Sequence, residues 1–338
     1  MGRLGLLLAV ASAGAGCSPS GLLARQMVKA PNRVPAFVKP EGRVLLHWPE
    51  GVIKRFPTGT NEVGSPPVPL RWVRVEPAEF GMEVSSAKRG DGPRGGMNYR
   101  FAFRLPREGL PPAREAKGTA FLIHGYGVDL ETLFPWAIYL AEAGWRSVLV
   151  DLRGHGGSGG KRVTFGVLET NDLCQLRREL ESTGEVRGPY VAVGHSLGAA
   201  LVLRWQAVDP AIRGSVALGP FARFVPAAGR LRDEYARWVP RSWVRRAAVR
   251  VPRVLGVEAE RLETDVAIRG RGVRAMLVAS ADDVITPPEE AAALRELTGT
   301  GSALLIVGGG SHETLPYLFD QHGDAVRDWL AGLVSAGE

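Results

Sequence analysis

The stretch Tyr190-Val191-Ala192-Val193-Gly194-His195-Ser196-Leu197-Gly198-Ala199-Ala200 runs an apolar β-type segment into a serine with glycines two residues before and two after. The apolar run ending at Gly194 predicts a buried strand, and the residues from Leu197 to about 208 predict a helix. A serine at so sharp a strand-to-helix turn sits in strained backbone, and larger residues at 194 and 198 would clash with it. Ala199 and Ala200 let the helix pack close. The start of the helix aims its first amides back at the serine, where they can stabilise developing negative charge. With a strand before it and a helix after it, Gly194-x-Ser196-x-Gly198 is a strong signal for a nucleophile.

The same alternation extends in both directions. Apolar runs at 119–123, 147–151, 214–218, 273–279 and 303–307 predict strands, separated by helical stretches at about 131–143, 167–183, 288–298 and 316–334. Near-continuous apolar strands interleaved with helices describe the α/β class, a mostly parallel central sheet with helices on both faces. Upstream, 72–75 and 99–103 alternate in the manner of antiparallel strands, separated by a Gly-rich turn at 90–96. Residues 18–67 carry Pro at 19, 31, 35, 40, 49, 57, 66 and 67 and, beyond a strand signal at 44–48, no sustained periodicity. They are expected to form a tether and a wrapping extension. The resulting division is a leader at 1–16, a Pro-rich extension at 17–69, a core at 70–220 with 266–338, and an insertion at 221–265.

At 338 residues, 45% hydrophobic and 23% charged, the chain can bury one large α/β core and resembles neither a disordered nor a polytopic membrane protein. Its two cysteines cannot build a disulfide framework or a four-thiolate zinc site, and no His-Glu-x-x-His pair is present, so no metal is expected. Cys174 is expected as a buried thiol on a helix. The formal charge of +7 is concentrated: Arg at 223, 230, 232, 237, 241, 245, 246, 250 and 253 face only Asp233 and Glu234, an excess equal to that of the whole chain. Phe221, Phe224, Trp238 and Trp243 interleave these charges. Such an insertion is either a solvated helical face or a lid whose cationic rim favours anionic substrates or lipid headgroups. No finger, RNP or basic-zipper pattern accompanies the charge, so nucleic acid is not an expected partner.

A serine becomes a nucleophile when a histidine takes its proton and a carboxylate orients that histidine. Of the histidines at 47, 124, 155, 195, 312 and 322, His312 lies in Gly308-Gly309-Gly310-Ser311-His312-Glu313, directly after the last apolar strand, where it would stand over the sheet edge. His47, in the extension, and His322, within the final helix, are expected to be structural. The carboxylate belongs between serine and histidine at a strand end, where Asp282 and Asp283 stand side by side. Spacing leaves the two open. The strand ending at Ile123-His124-Gly125-Tyr126-Gly127 would bring the Tyr126 amide beside that of Leu197 as an oxyanion hole, with His124 forming the loop.

These marks, with Asp151-Leu152-Arg153-Gly154-His155-Gly156-Gly157-Ser158, resemble the α/β-hydrolase superfamily in the branch of monoacylglycerol lipases, lysophospholipases and serine aminopeptidase-like esterases. The resemblance spans roughly residues 70–335. It implies an α/β-hydrolase fold with an inserted helical lid and no cofactor. It also implies a Ser196, His312, Asp283 mechanism on a carboxylic ester of lipid-like type, the Asp-x-x-x-Pro pattern choosing Asp283 over Asp282. A thioesterase or amidase would use the same residues, and a non-catalytic binding protein could share the fold. The Pro-rich extension and the strongly basic insertion depart from the family. The Gly154-x-Gly156-x-x-Gly159 run fits a dinucleotide fingerprint, but no helix opens there and no acid follows a second strand. The Walker pattern also fails, because Arg162 follows Lys161.

Residues 1–16, with Arg3 before an apolar stretch, predict an export signal too short to span a bilayer. Gly14-Ala15-Gly16-Cys17 resembles a bacterial lipoprotein signal, which implies lipidation of Cys17 and a periplasm-facing envelope location. Position 14, where Leu is usual, leaves ordinary cleavage after Ala13 open. The alternative is a cytoplasmic protein with an apolar terminus.

Overall fold

The computed structural model describes residues 18–33, 44–89 and 96–335, so the stretch expected to be an export signal, and Cys17, lie outside the described residues. Ser18 caps the first helix, α1 (Pro19–Met27), by accepting from the Gly21 amide, with Pro19 in the first turn where its missing N–H costs nothing. Strands β1 (Val44–His47), β2 (Thr58–Val63), β3 (Val68–Val75), β4 (Glu83–Arg89) and β5 (Gly96–Ala102) follow. The α/β alternation then runs β6 (Thr119–Ile123), α2 (Phe134–Glu142), β7 (Arg146–Val150), α3 (Glu169–Ser182), β8 (Tyr190–His195), α4 (Leu197–Gln206) and β9 (Ile212–Leu218). Three helices come next, α5 (Phe224–Tyr235), α6 (Arg241–Leu255) and α7 (Thr264–Ile268). The chain ends with β10 (Ala275–Ser280), α8 (Pro288–Arg295), β11 (Ala303–Val307) and α9 (Phe319–Ser335).

Eight strands form the main sheet in the order β11-β10-β9-β8-β6-β7-β3-β2. The pairs from β11 to β7 are parallel, and β3 and β2 join antiparallel at the edge. Alternate residues of β6 serve opposite faces, Phe121 and Ile123 packing with α3 and α4, Ala120 and Leu122 with α2 and α9. Trp205 and Trp136 are fully buried, one on each side, each contributing about 2–3 kcal/mol through the apolar area it removes from water. Cys174 is buried on α3, where burial, reinforced by Asp209, pushes its thiol up to about 11.

The upstream region departs from expectation in two ways. The segments 72–75 and 99–103 are not neighbours: β3 joins the main sheet, whereas β5 lies between β1 and β4 in a separate three-stranded sheet. β4, exposed along nearly its whole length, carries no apolar alternation from which a strand could be read. The described residues of 17–69 wrap the core, β2 extending the main sheet and α1 lying along α6.

Candidate active site

The site is assembled at the carboxyl ends of the parallel strands, where α/β sheets place their ligands. Register makes this possible: Ile123 pairs with Gly194, His195 with Leu218, Val278 with Leu218 and Ser280 with Val307, so five strands end at nearly one level. Ser196 sits at the turn with φ 55° and ψ −114°, a strained conformation for a residue with a Cβ. Both flanking glycines are required by close approach. A Cβ on Gly194 would lie 2.2 Å from the Gly198 carbonyl oxygen, and one on Gly198 would lie 1.9 Å from that of Ile123. The strain therefore persists because β6 and the first turn of α4 hold the turn between them.

His312 accepts from the Ser196 hydroxyl through Nε2 at 2.8 Å and donates through Nδ1 to Asp283 Oδ2 at 2.7 Å. Asp283 Oδ1 accepts the amides of Ile285 and Thr286, each at 2.8 Å, and Thr286 Oγ1 donates to Oδ2 at 2.7 Å. Burial would raise the Asp283 carboxyl, but the hydrogen bond and charge of His312 and the two donors of Thr286 outweigh it and hold it below the usual range. Asp282 is exposed and turned elsewhere, its Oδ2 accepting the Gly309 amide at 2.7 Å and tying down the loop that carries His312.

The turn expected to supply the second oxyanion donor abuts the serine, since a Cβ on Gly125 would be 3.4 Å from Ser196 Cβ. The amide of Leu197 belongs to the first turn of α4, which leaves it without an intrahelical acceptor. His124 forms the loop as expected, with Nδ1–H donating to Gly125 O at 2.7 Å and Nε2 accepting the Leu152 amide at 3.0 Å. Asp151 bridges two site loops, accepting the amides of Leu130 and Gly157 at 2.8 Å each. Gly156 is required there, because a Cβ would lie 2.3 Å from that carboxylate. His322 is buried and donates to Leu315 O at 2.8 Å, while stacking on Trp136.

Sequence reasoning missed two supports. Thr286 braces the carboxylate and lies 3.0 Å from His312 Nδ1. His195 donates from Nε2 to the His312 carbonyl oxygen at 2.9 Å, so the residue beside the serine also fixes the backbone of the histidine. Burial, and then the nearby His312, lowers His195 to about 3, so it stays a neutral donor. Only the position of His195 within the glycine-flanked motif could have drawn attention to it.

The rings of Tyr126, Phe165 and Phe224 pack in series, the first pair stacked and the second tilted, with centroids 5.9 Å and 4.6 Å apart, and join the turn after β6 to α5. Tyr235 of α5 donates to Glu313, the residue after His312. The inserted helix α5 thus contacts the site at both of its edges. Their arginines divide into two groups. Arg223 pairs with Asp265, Arg230 with Glu290, and Arg232 and Arg241 with Asp233. Among the described residues, Arg245, Arg246, Arg250 and Arg253 of α6 form no ion pair. No cluster of three or more His, Cys, Asp or Glu among the described residues could hold a metal. No described helix is long and apolar enough to cross a membrane.

Comparison with known proteins agrees with this architecture. The esterase Pf2001 of Pyrococcus furiosus superposes with a TM-score of 0.60 at 17% identity, over 86% of this chain and 96% of that one. A 2,6-dihydroxy-pseudo-oxynicotine hydrolase superposes with a TM-score of 0.56 at 16% identity, over 84% of this chain and 69% of that one. At these identities the likeness is one of fold. An uncharacterised Bacillus subtilis protein, YqkD, is 29% identical over 124 residues, a match spanning 36% of this chain and 41% of that protein. The family model described as serine aminopeptidase, S33 matches residues 114–303, more than half of the chain and including Ser196 and Asp283. The chain therefore belongs to this hydrolase family and has the α/β-hydrolase fold.

Proposed function

We propose that the protein is a serine carboxyl-ester hydrolase acting through Ser196, His312 and Asp283. The observation that carries this is the unbroken chain from Ser196 Oγ through His312 to Asp283 at 2.8 and 2.7 Å, mounted on a strained strand-to-helix turn. In this mechanism His312 takes the serine proton as Oγ attacks the ester carbonyl, and Asp283 stabilises the resulting imidazolium. The amides of Leu197 and Tyr126 receive the oxyanion, worth about 3 kcal/mol per donor in comparable sites. His312 then protonates the departing alcohol, and water attacks the acyl-enzyme with the same histidine as base. The aromatic series Tyr126, Phe165 and Phe224 favours an apolar acyl group, as in a monoacylglycerol or lysophospholipid.

Hydrolysis of a p-nitrophenyl ester series from acetate to palmitate tests this directly. The expected result is turnover that falls about 10⁴-fold or more in Ser196→Ala. Turnover unchanged in that variant would remove the proposal. If the series is inert, labelling of Ser196 by a fluorophosphonate separates a selective thioesterase or amidase from a non-catalytic fold.

A further inference from the structure

We propose that a basic cleft between α1 and α6 is a binding site for a phosphate-bearing ligand, separate from the Ser196 site. The cleft encloses about 650 Å³ and gathers Arg25 and Lys29 from α1 and its C-terminal end, Lys161 and Arg162 from the loop after β7, and Arg250 and Arg253 from α6. All six are exposed, and among the described residues none forms an ion pair. Their floor is apolar, Val28 and Val254.

The backbone makes this convergence obligatory. Lys29 and Arg162 form an antiparallel bridge, with the Ala30 amide donating to Lys161 O at 3.2 Å and the Val163 amide to Val28 O at 2.9 Å. Arg250 donates to the Ser20 hydroxyl across the gap between α6 and α1. Three segments remote in sequence are thereby fastened so that like charges face one another, an arrangement that costs free energy in an empty cleft. The contrast with the rest of the insertion is informative. Arg223, Arg230, Arg232 and Arg241 have Asp265, Glu290 and Asp233 as partners, while Arg245 and Arg246, outside the cleft, share with the cleft arginines the lack of an ion pair among the described residues. Among the described residues that line the cleft there is no carboxylate. An anion of charge −2 or more offsets the repulsion, and the guanidinium forks match phosphate oxygens two at a time. A volume of this size admits a diphosphate or the headgroup of a phospholipid and suits a small ligand.

The site does not rest on ester hydrolysis, because its residues lie outside the hydrogen-bonded chain at Ser196. Calorimetric titration of the full chain with inorganic pyrophosphate at low ionic strength is the first arm. Sedimentation with phosphatidylcholine vesicles, with and without phosphatidylglycerol, is the second. Arg25→Gln with Arg253→Gln removes two cleft charges, and Lys161→Gln with Arg162→Gln does so from a loop, which guards against misfolding of the helical pair. Arg107→Gln with Arg178→Gln removes equal charge from exposed positions elsewhere. The expected result is saturable pyrophosphate binding weakened roughly tenfold or more in either cleft variant and unchanged in the control. Vesicle binding that needs phosphatidylglycerol and is lost in the cleft variants assigns a lipid headgroup. Vesicle binding that is absent, or equal in all variants, assigns a soluble phosphate compound. Failure of both probes to bind, or equal losses in cleft and control variants, would overturn the proposal.

Discussion

Two regions of this molecule concentrate charge and hydrogen-bonding capacity, and they treat it in opposite ways. Around Asp283 every polar atom is answered from within the chain: Ile285, Thr286 and His312 saturate the carboxylate, and His195 holds the backbone of His312. In the cleft between α1 and α6 six cations are brought together by backbone pairing and helix packing and, among the described residues, form no ion pair. A buried carboxylate without partners would lose its charge or destabilise the fold, so its partners must be built in. Exposed cations are tolerated by water at modest cost, so their partner can come from outside. The first region fits the proposed reaction, the second the proposed ligand.

The comparison breaks most visibly at the two neighbouring aspartates. Asp283→Asn is expected to lower kcat by about 10⁴-fold, since the neutral amide neither orients nor stabilises the imidazolium. Asp282→Asn, which alters only a loop contact, should leave kcat nearly unchanged. Similar losses in both variants would mean that the carboxylate at 283 has no special part.

Burial also keeps three histidines neutral around the internally satisfied region, with His124 and His322 lowered from 6.5 to about 4 and His195 to about 3. An unfolded histidine takes up its proton near 6.5 and the folded one does not. Their stabilisation is therefore full above pH 6.5 and is lost as pH falls from there toward 4 for His124 and His322 and toward 3 for His195. His322→Asn removes one contribution, so the acid-induced fall in urea-unfolding free energy should shrink by about 2 kcal/mol between pH 7 and 5. An unaltered fall would show that His322 is charged in the folded protein.

The smallest effect sharpens the other side of the comparison. Arg253→Glu places a carboxylate among the cleft cations and should raise thermal stability by about 0.5 kcal/mol in the absence of ligand. A loss of stability would indicate that these cations do not repel one another.

The α/β core was legible because each parallel strand is a short apolar run bounded by turn residues, and each helix between them repeats at its own period. Glu83–Arg89 was illegible for the converse reason: its exposed, polar residues form a strand only because β5 pairs with them. The helix α1 had readable signals in Ser18 and Pro19, but its neighbouring prolines favoured an extension, and its packing against α6 decided the matter.

What the sequence determined by itself is the strained serine turn, since Gly194 and Gly198 are required by local geometry, together with the histidine loop after the last strand. Only the tertiary structure brought Asp283, which the resemblance had favoured, onto His312 and turned Asp282 away, recruited Thr286 and His195, and separated paired arginines from unpaired ones. Those outcomes depend on distances between segments remote along the chain, which register and packing set and which no local pattern of residues encodes.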